Sequence, residues 1–381
     1  MAQAAERNAT RRRDNALWLR TAAAGSVAAL ALAGCGALMP GGGGSADPTV
    51  AGPGVTDDSV KVVFVGVDLS GVQDATGFNT ASIGDPEKQV EALEKWVNDN
   101  GGLGGRELDA VFRWYNAEVD SPAAEEQLCN QVSQDDQAFA VVLTGQFQSN
   151  ARPCYDERNT LVLDATLVAS DAKLYAELDP HLWTASYPEY DAFTRSYIEA
   201  MDAQGFFDGR DQVAIVAADN PVNRRAVEGK AVKQLEELGL DVEVGWVDTT
   251  DMGTIFMGEE QAAITFASKG IDRVFFLGGS RLASIFATIA GSKGLDATYG
   301  ISTFDNPSFF VNNPKTVPAE TMVGMVGIGF QPAQDLADEQ LSFPSRAPSR
   351  SASTSTPKAA SPSRPGRTRG SRFPIATRRD C

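Results

Sequence analysis

The chain has 381 residues, 43% of them hydrophobic, which is enough to bury more than one core. Its formal charge is −17, and residues 36–340 carry 19 Lys/Arg against 47 Asp/Glu. So acidic a body excludes nucleic acid as a partner, because a polyanion needs a basic surface. The single histidine, His181, and four scattered cysteines form no metal-binding cluster, so neither a metal nor a cofactor is expected.

At the amino terminus, Arg11, Arg12, Arg13 and Arg20 precede an apolar run from Ala22 to Ala33. That run is about a dozen residues, too short to span a membrane and suited to a secretory signal. It ends in Leu32-Ala33-Gly34-Cys35, which resembles the bacterial lipobox. The resemblance implies cleavage before Cys35, lipidation of its sulfur and an exported chain held on the outer face of the cell membrane. The alternative is an ordinary signal with an incidental cysteine. Residues 36–57, with Gly41 to Gly44 and little apolar bulk, read as a flexible tether.

From residue 58 the pattern alternates. Val60–Val67 is, Lys61 apart, an apolar run rich in valine, the mark of a strand buried on both faces. Asp85-Pro86 then caps a helix with Val90, Leu93, Trp96 and Val97 on one side, stopped by Gly101-Gly102. Further strands are expected at Leu108–Trp114, Phe139–Leu143, Leu161–Leu163, Val213–Ala217, Val242–Val247, Val274–Leu277, Thr298–Ser302 and Met322–Phe330. Helices are expected at 121–133, 188–205, 224–238, 260–269 and 281–292. Such alternation predicts an α/β fold with parallel sheets, whose ligands bind beyond the carboxyl ends of the strands. The loops to watch are therefore Asp68–Gly77, Thr144–Ala151, Asp164–Asp171, Ala218–Arg224, Gly278–Leu282 and Thr303–Pro307. None carries a phosphate loop or a nucleophile elbow, and His181 has no nucleophile near it in sequence, so no enzyme is expected. Cys129 and Cys154 fall on successive helices, and in an exported chain they are expected to pair, the alternative being two buried free thiols.

The segment Asn98-Asp99-Asn100-Gly101-Gly102-Leu103-Gly104-Gly105-Arg106 resembles a motif of type 1 periplasmic binding proteins, the leucine/isoleucine/valine-binding-like receptors of ABC importers. Leu69-Ser70-Gly71, Asp120-Ser121-Pro122 and Thr144-Gly145, with Ser149 four residues on, match further pieces of the family in order. The resemblance covers Val60 to about Phe330. It implies two doubly wound parallel-sheet domains with a ligand cleft between them, joined by three crossovers: 58–186 with 306–340 as the N-terminal lobe and 187–305 as the C-terminal lobe. It implies capture of a small polar solute, an amino acid, amide or related compound, by hinge closure, and delivery to an ABC permease and its ATPase subunits. Ser149 matches the first carboxylate-holding loop, alternatively being a plain helix cap, and Thr166 matches the second loosely; Asn150 is a further candidate. Tyr187, Asn220, Asn223, Arg281 and Asp305 complete the candidate ligand set. The loop Gly278–Ala283 lacks the acid that would pair with an amino-acid ammonium and offers Arg281 instead, which puts a simple aliphatic amino acid in doubt. A ligand-sensing lipoprotein without a transporter is the alternative function, and an exported hydrolase a more distant one.

From Ser342 the texture changes to Ser, Arg, Pro, Ala and Thr, with Asp380 the only acid. Residues 341–381 read as a disordered basic tail. The family's closing strand and helix are missing here, so a frameshift product is the expected origin, with a genuine wall- or membrane-seeking tail as the alternative.

Overall fold

The computed structural model describes residues 52–76, 84–184, 187–317, 319–337 and 340, all within one compact unit. The signal, Cys35, most of the tether and the 341–381 tail, with Cys381, lie outside the described residues.

The first sheet is built from β1 (Ser59–Asp68), β2 (Glu107–Asn116), β3 (Ala140–Leu143), β4 (Leu161–Asp164) and β5 (Leu182–Trp183). Its helices are α1 (Ser70–Thr76), α2 (Pro86–Asp99), α3 (Pro122–Asn130, continued to Asp135 by a π-helical turn), α4 (Arg152–Glu157) and α5 (Ala172–Glu177). The second lobe contains α6 (Tyr190–Ala203), β6 (Gln212–Ala218), α7 (Pro221–Ala226), α8 (Val232–Glu237), β7 (Asp241–Val247), α9 (Met252–Lys269) and β8 (Arg273–Leu277). It ends with α10 (Ser280–Ile289), β9 (Thr298–Ser302), α11 (Ser308–Asn312), β10 (Val326–Ile328) and α12 (Pro332–Asp335). Every strand pairing is parallel, and the two sheet orders are β2-β1-β3-β4-β5 and β10-β9-β8-β6-β7. Read from the other edge, the second order repeats the first. In each, the strand order reverses beside the first strand of the lobe, which opens a crevice at the carboxyl ends.

The apolar runs form the interior. Val63 and Val65 of β1 are buried, and β6 is buried from Val213 through Ala218. Each large apolar side chain taken fully out of water contributes about 1.5–3 kcal/mol. Asp85, Ser121, Asn220 and Asp251 each accept a backbone N–H at a helix start, the caps that fix α2, α3, α7 and α9. The Cys129–Cys154 disulfide is present, with Cα atoms 6.4 Å apart, and ties α3 to α4 across β3.

Several expectations are corrected. The 260–269 helix starts earlier, at Met252, because Asp251 and Thr254 form a reciprocal capping box and Gly258 packs closely on Val247. The 322–330 strand shrinks to Val326–Ile328 and pairs with β9. Segment 306–340 accordingly packs on the second lobe, not the first: Phe310 and Val317 are buried in that lobe's core, and Phe330 packs against Phe304. The end of the tether is also ordered. Residue 55 bridges residue 60, and the Arg106 Nε donates to the Thr56 carbonyl at 2.7 Å. On α2, Leu93 and Trp96 remain 41% and 62% exposed.

Candidate functional site

The strand-exit loops of the two sheets meet around a cavity of about 630 Å³. Thr144 to Phe147 after β3 and Ala165 to Ala169 after β4 come from the first lobe. Asn220 and Asn223 after β6, Thr249 after β7 and Gly278 to Arg281 after β8 come from the second. Gly279 has φ +92°, and a Cβ there would sit 3.2 Å from the Leu167 carbonyl of the other lobe. Only glycine allows both that conformation and that approach.

Two ion pairs bridge the lobes. The Arg281 guanidinium donates to Asp120 Oδ2 at 2.9 Å and to the Thr249 carbonyl at 3.0 Å, and lies 4.4 Å from the Phe147 ring centroid. Gln148 Nε2 donates to the same carboxylate and the same carbonyl, each at 2.8 Å. Tyr115 donates its hydroxyl to Asp120 Oδ1 at 2.6 Å, so both carboxylate oxygens are met. Farther along, Arg225 donates to both oxygens of Asp171, at 2.6 and 3.0 Å. Burial alone would raise the Asp171 pKa, but the Arg225 bond and the Leu174 N–H hold it below its ordinary value.

Acids beside this junction are perturbed. Glu125 in α3 is pushed up to about 8 by burial, with the Asp120 charge adding to the effect. Glu259 in α9 is fully buried and raised well above the ordinary carboxylate range by desolvation, against the pull of Arg281. In the first lobe, Arg152 pairs with Asp164 in the interior, and Asp164 Oδ1 accepts the Thr166 N–H and hydroxyl.

The candidate residues distribute unevenly. Asn220, Asn223 and Arg281 are on the cavity wall; Asn223 is buried, with its Nδ2 on the Leu277 carbonyl at 2.6 Å. Ser149 and Asn150 are off the wall: α4 takes Ala151 as its cap, and Asn150 donates to the Pro122 carbonyl. Thr166 is buried against Asp164 while its neighbours Ala165 and Leu167 face the cavity. Tyr187 packs on Phe304 and donates to the Ala165 carbonyl. Asp305 is buried beneath the β9 exit, accepting the Ser302 N–H and hydroxyl, and burial pushes it up to about 8. His181 bonds Asp156 at 2.7 Å, away from the wall. Phe64 and Phe112 were not anticipated as wall residues. They sit mid-strand on β1 and β2, where alternation marks a residue as buried and does not say whether a helix or a cavity covers it.

No protein-family model matches this chain, and no curated protein matches it. Solved structures do. A fatty acid ABC transporter substrate-binding protein from Thermomonospora curvata is 21% identical, with 73% of this chain and 64% of that one covered, at a TM-score of 0.50. A solute-binding protein of an ABC transporter from R. palustris, in complex with benzoate, is 19% identical, with 65% and 62% covered, at 0.45. A leucine-binding protein from Thermotoga maritima is 11% identical, with 68% and 67% covered, at 0.46. The chain thus spans under two thirds of the first of these proteins. Its fold, two parallel-sheet α/β domains of five strands each among the described residues, is shared with the Thermomonospora curvata substrate-binding protein.

Proposed function

We propose that this chain is an extracytoplasmic solute-binding lipoprotein that serves an ABC importer. The observation that carries this is the cavity walled by strand-exit loops of both sheets. A solute held there touches both lobes at once, so it stabilises the apposed state over the separated one, and that differential affinity drives hinge closure. The Arg281–Asp120 and Arg225–Asp171 pairs form only when the lobes meet, and they limit how far apart the closed lobes can drift. The closed form then presents its surface to a permease with its ATPase subunits. Lipid on Cys35 keeps the receptor at the outer face of the membrane, where stable anchoring takes more than one chain. The solute is small and carries hydrogen-bonding groups, as an amide or a related compound does. The similar proteins are named for a fatty acid, benzoate and leucine, which are too diverse to choose among.

The test is a thermal-shift screen of the secreted chain against small metabolites, followed by small-angle scattering on any responder. A bound solute raises the melting temperature as its concentration rises above Kd, and contracts the radius of gyration. A broad panel with no responder would sink the reading. Intact-mass analysis of the membrane fraction tests the anchor, and an unmodified Cys35 there removes it.

A further inference from the structure

Among the described residues, the only charged side chain on the cavity wall is Arg281. Its guanidinium is already held, by Asp120, the Thr249 carbonyl and the Phe147 face. The wall is otherwise largely apolar, with Phe64, Phe112, Phe147 and Phe309 beside Val65 and Val67. An anionic solute would compete with Asp120 for the Arg281 charge and weaken the pairing of a buried carboxylate. It would also enter a body with 47 acids against 19 bases over residues 36–340. A cationic solute would find no carboxylate on the described wall and would be desolvated without a partner. One polar group there does lack a partner. Gln146 is 1% exposed and on the wall; its Oε1 accepts the Gly145 N–H at 3.2 Å, but its Nε2 meets no acceptor among the described residues. A buried amide N–H left in this state calls for an acceptor oxygen.

We propose that the cleft selects an uncharged solute with an apolar body and a carbonyl or hydroxyl acceptor that Gln146 meets, and that Arg281 latches the lobes and does not anchor a ligand. This rests on the solute-binding reading above and narrows it. Size agrees, since 630 Å³ suits one small molecule with a ring or short chain.

Isothermal titration with phenylacetamide, phenylacetate and phenethylamine tests the idea, since these share one body and differ in charge. The amide is expected to bind at least about tenfold more tightly than either ion. An ion that binds as tightly as the amide overturns the inference and leaves solute binding intact. Binding by none of the three also overturns it, and the metabolite panel then decides separately whether the broader reading stands. Asp120→Asn releases Arg281 and should raise affinity for phenylacetate relative to phenylacetamide by about fivefold or more. No change in that ratio defeats the latch. Gln146→Leu should weaken phenylacetamide by about tenfold without lowering the melting temperature. Unchanged affinity removes Gln146 from the site.

Discussion

In the second lobe, β6 is buried along nearly its whole length and packs beside a belt of aromatic rings: Phe193 and Phe304 have centroids 4.7 Å apart, and Tyr190 lies 5.1 Å from Phe304. The first lobe buries smaller side chains, chiefly valine and leucine, and adds cross-links: the Cys129–Cys154 disulfide and the interior Arg152–Asp164 pair. One strand order is thus held in two ways. Aromatic packing spreads stability over many contacts, whereas a cross-link concentrates it in a few atoms. The Arg152–Asp164 pair also sits at the β4 exit, part of the first lobe's share of the cavity wall. Variants in the two lobes should therefore differ in size and in how they affect binding.

The largest effect is expected from Arg152→Met, which leaves Asp164 buried without its cation. Urea denaturation should show a loss of about 3–5 kcal/mol. Pairing it with Asp164→Asn should recover most of that, since an amide still accepts from Thr166; a double variant no better than the single would mean the loss is one of packing. Reducing the disulfide comes next. A closed loop of this size contributes about 3 kcal/mol in the chain-entropy view, read as a lower urea midpoint with reductant present. Two alkylatable thiols in the denatured, non-reduced chain would contradict the bond itself.

A pH effect follows from Glu125, whose folded pKa near 8 lies above its unfolded value. Between those two values the folded chain holds the proton that the unfolded chain releases. Stability is therefore fully present at acid pH and declines as pH rises toward 8. Glu125→Gln removes this slope, so its gain over wild type is greatest above pH 8 and vanishes near pH 4. Asp305 gives the second lobe a slope of the same sign. A stability profile that rises from pH 5 to 8 would refute both. The smallest effect is expected for Phe193→Leu, about 1 kcal/mol, because the remaining rings keep the belt dry. A loss as large as that of Arg152→Met would erase the contrast between lobes.

Much of the architecture was legible residue by residue. Val60–Val67, Lys61 apart, and Val213–Ala217 are strands because short valine-rich apolar runs suit a strand covered on both faces, and Asp85-Pro86 opens a helix because its cap is local. The amphipathic spacing of α2 was equally legible, yet Trp96 stays exposed, since periodicity names an apolar face without naming what covers it. The site was legible only as a set of loops. The strand-exit segments surround the cavity, but within them Thr166 turned inward to Asp164 and Ala165 outward.

The chain by itself determined the alternation of strands and helices, the caps and the loops from which a site would be built. These depend on hydrogen bonds and apolar spacing over a few residues. Only the tertiary structure decided that β10 joins the second sheet, that Gln146 lacks an acceptor, and that Arg281 meets Asp120 across 161 residues of chain. Those outcomes depend on which surfaces two separately folded lobes bring together, and no local pattern records the position of a partner that far away.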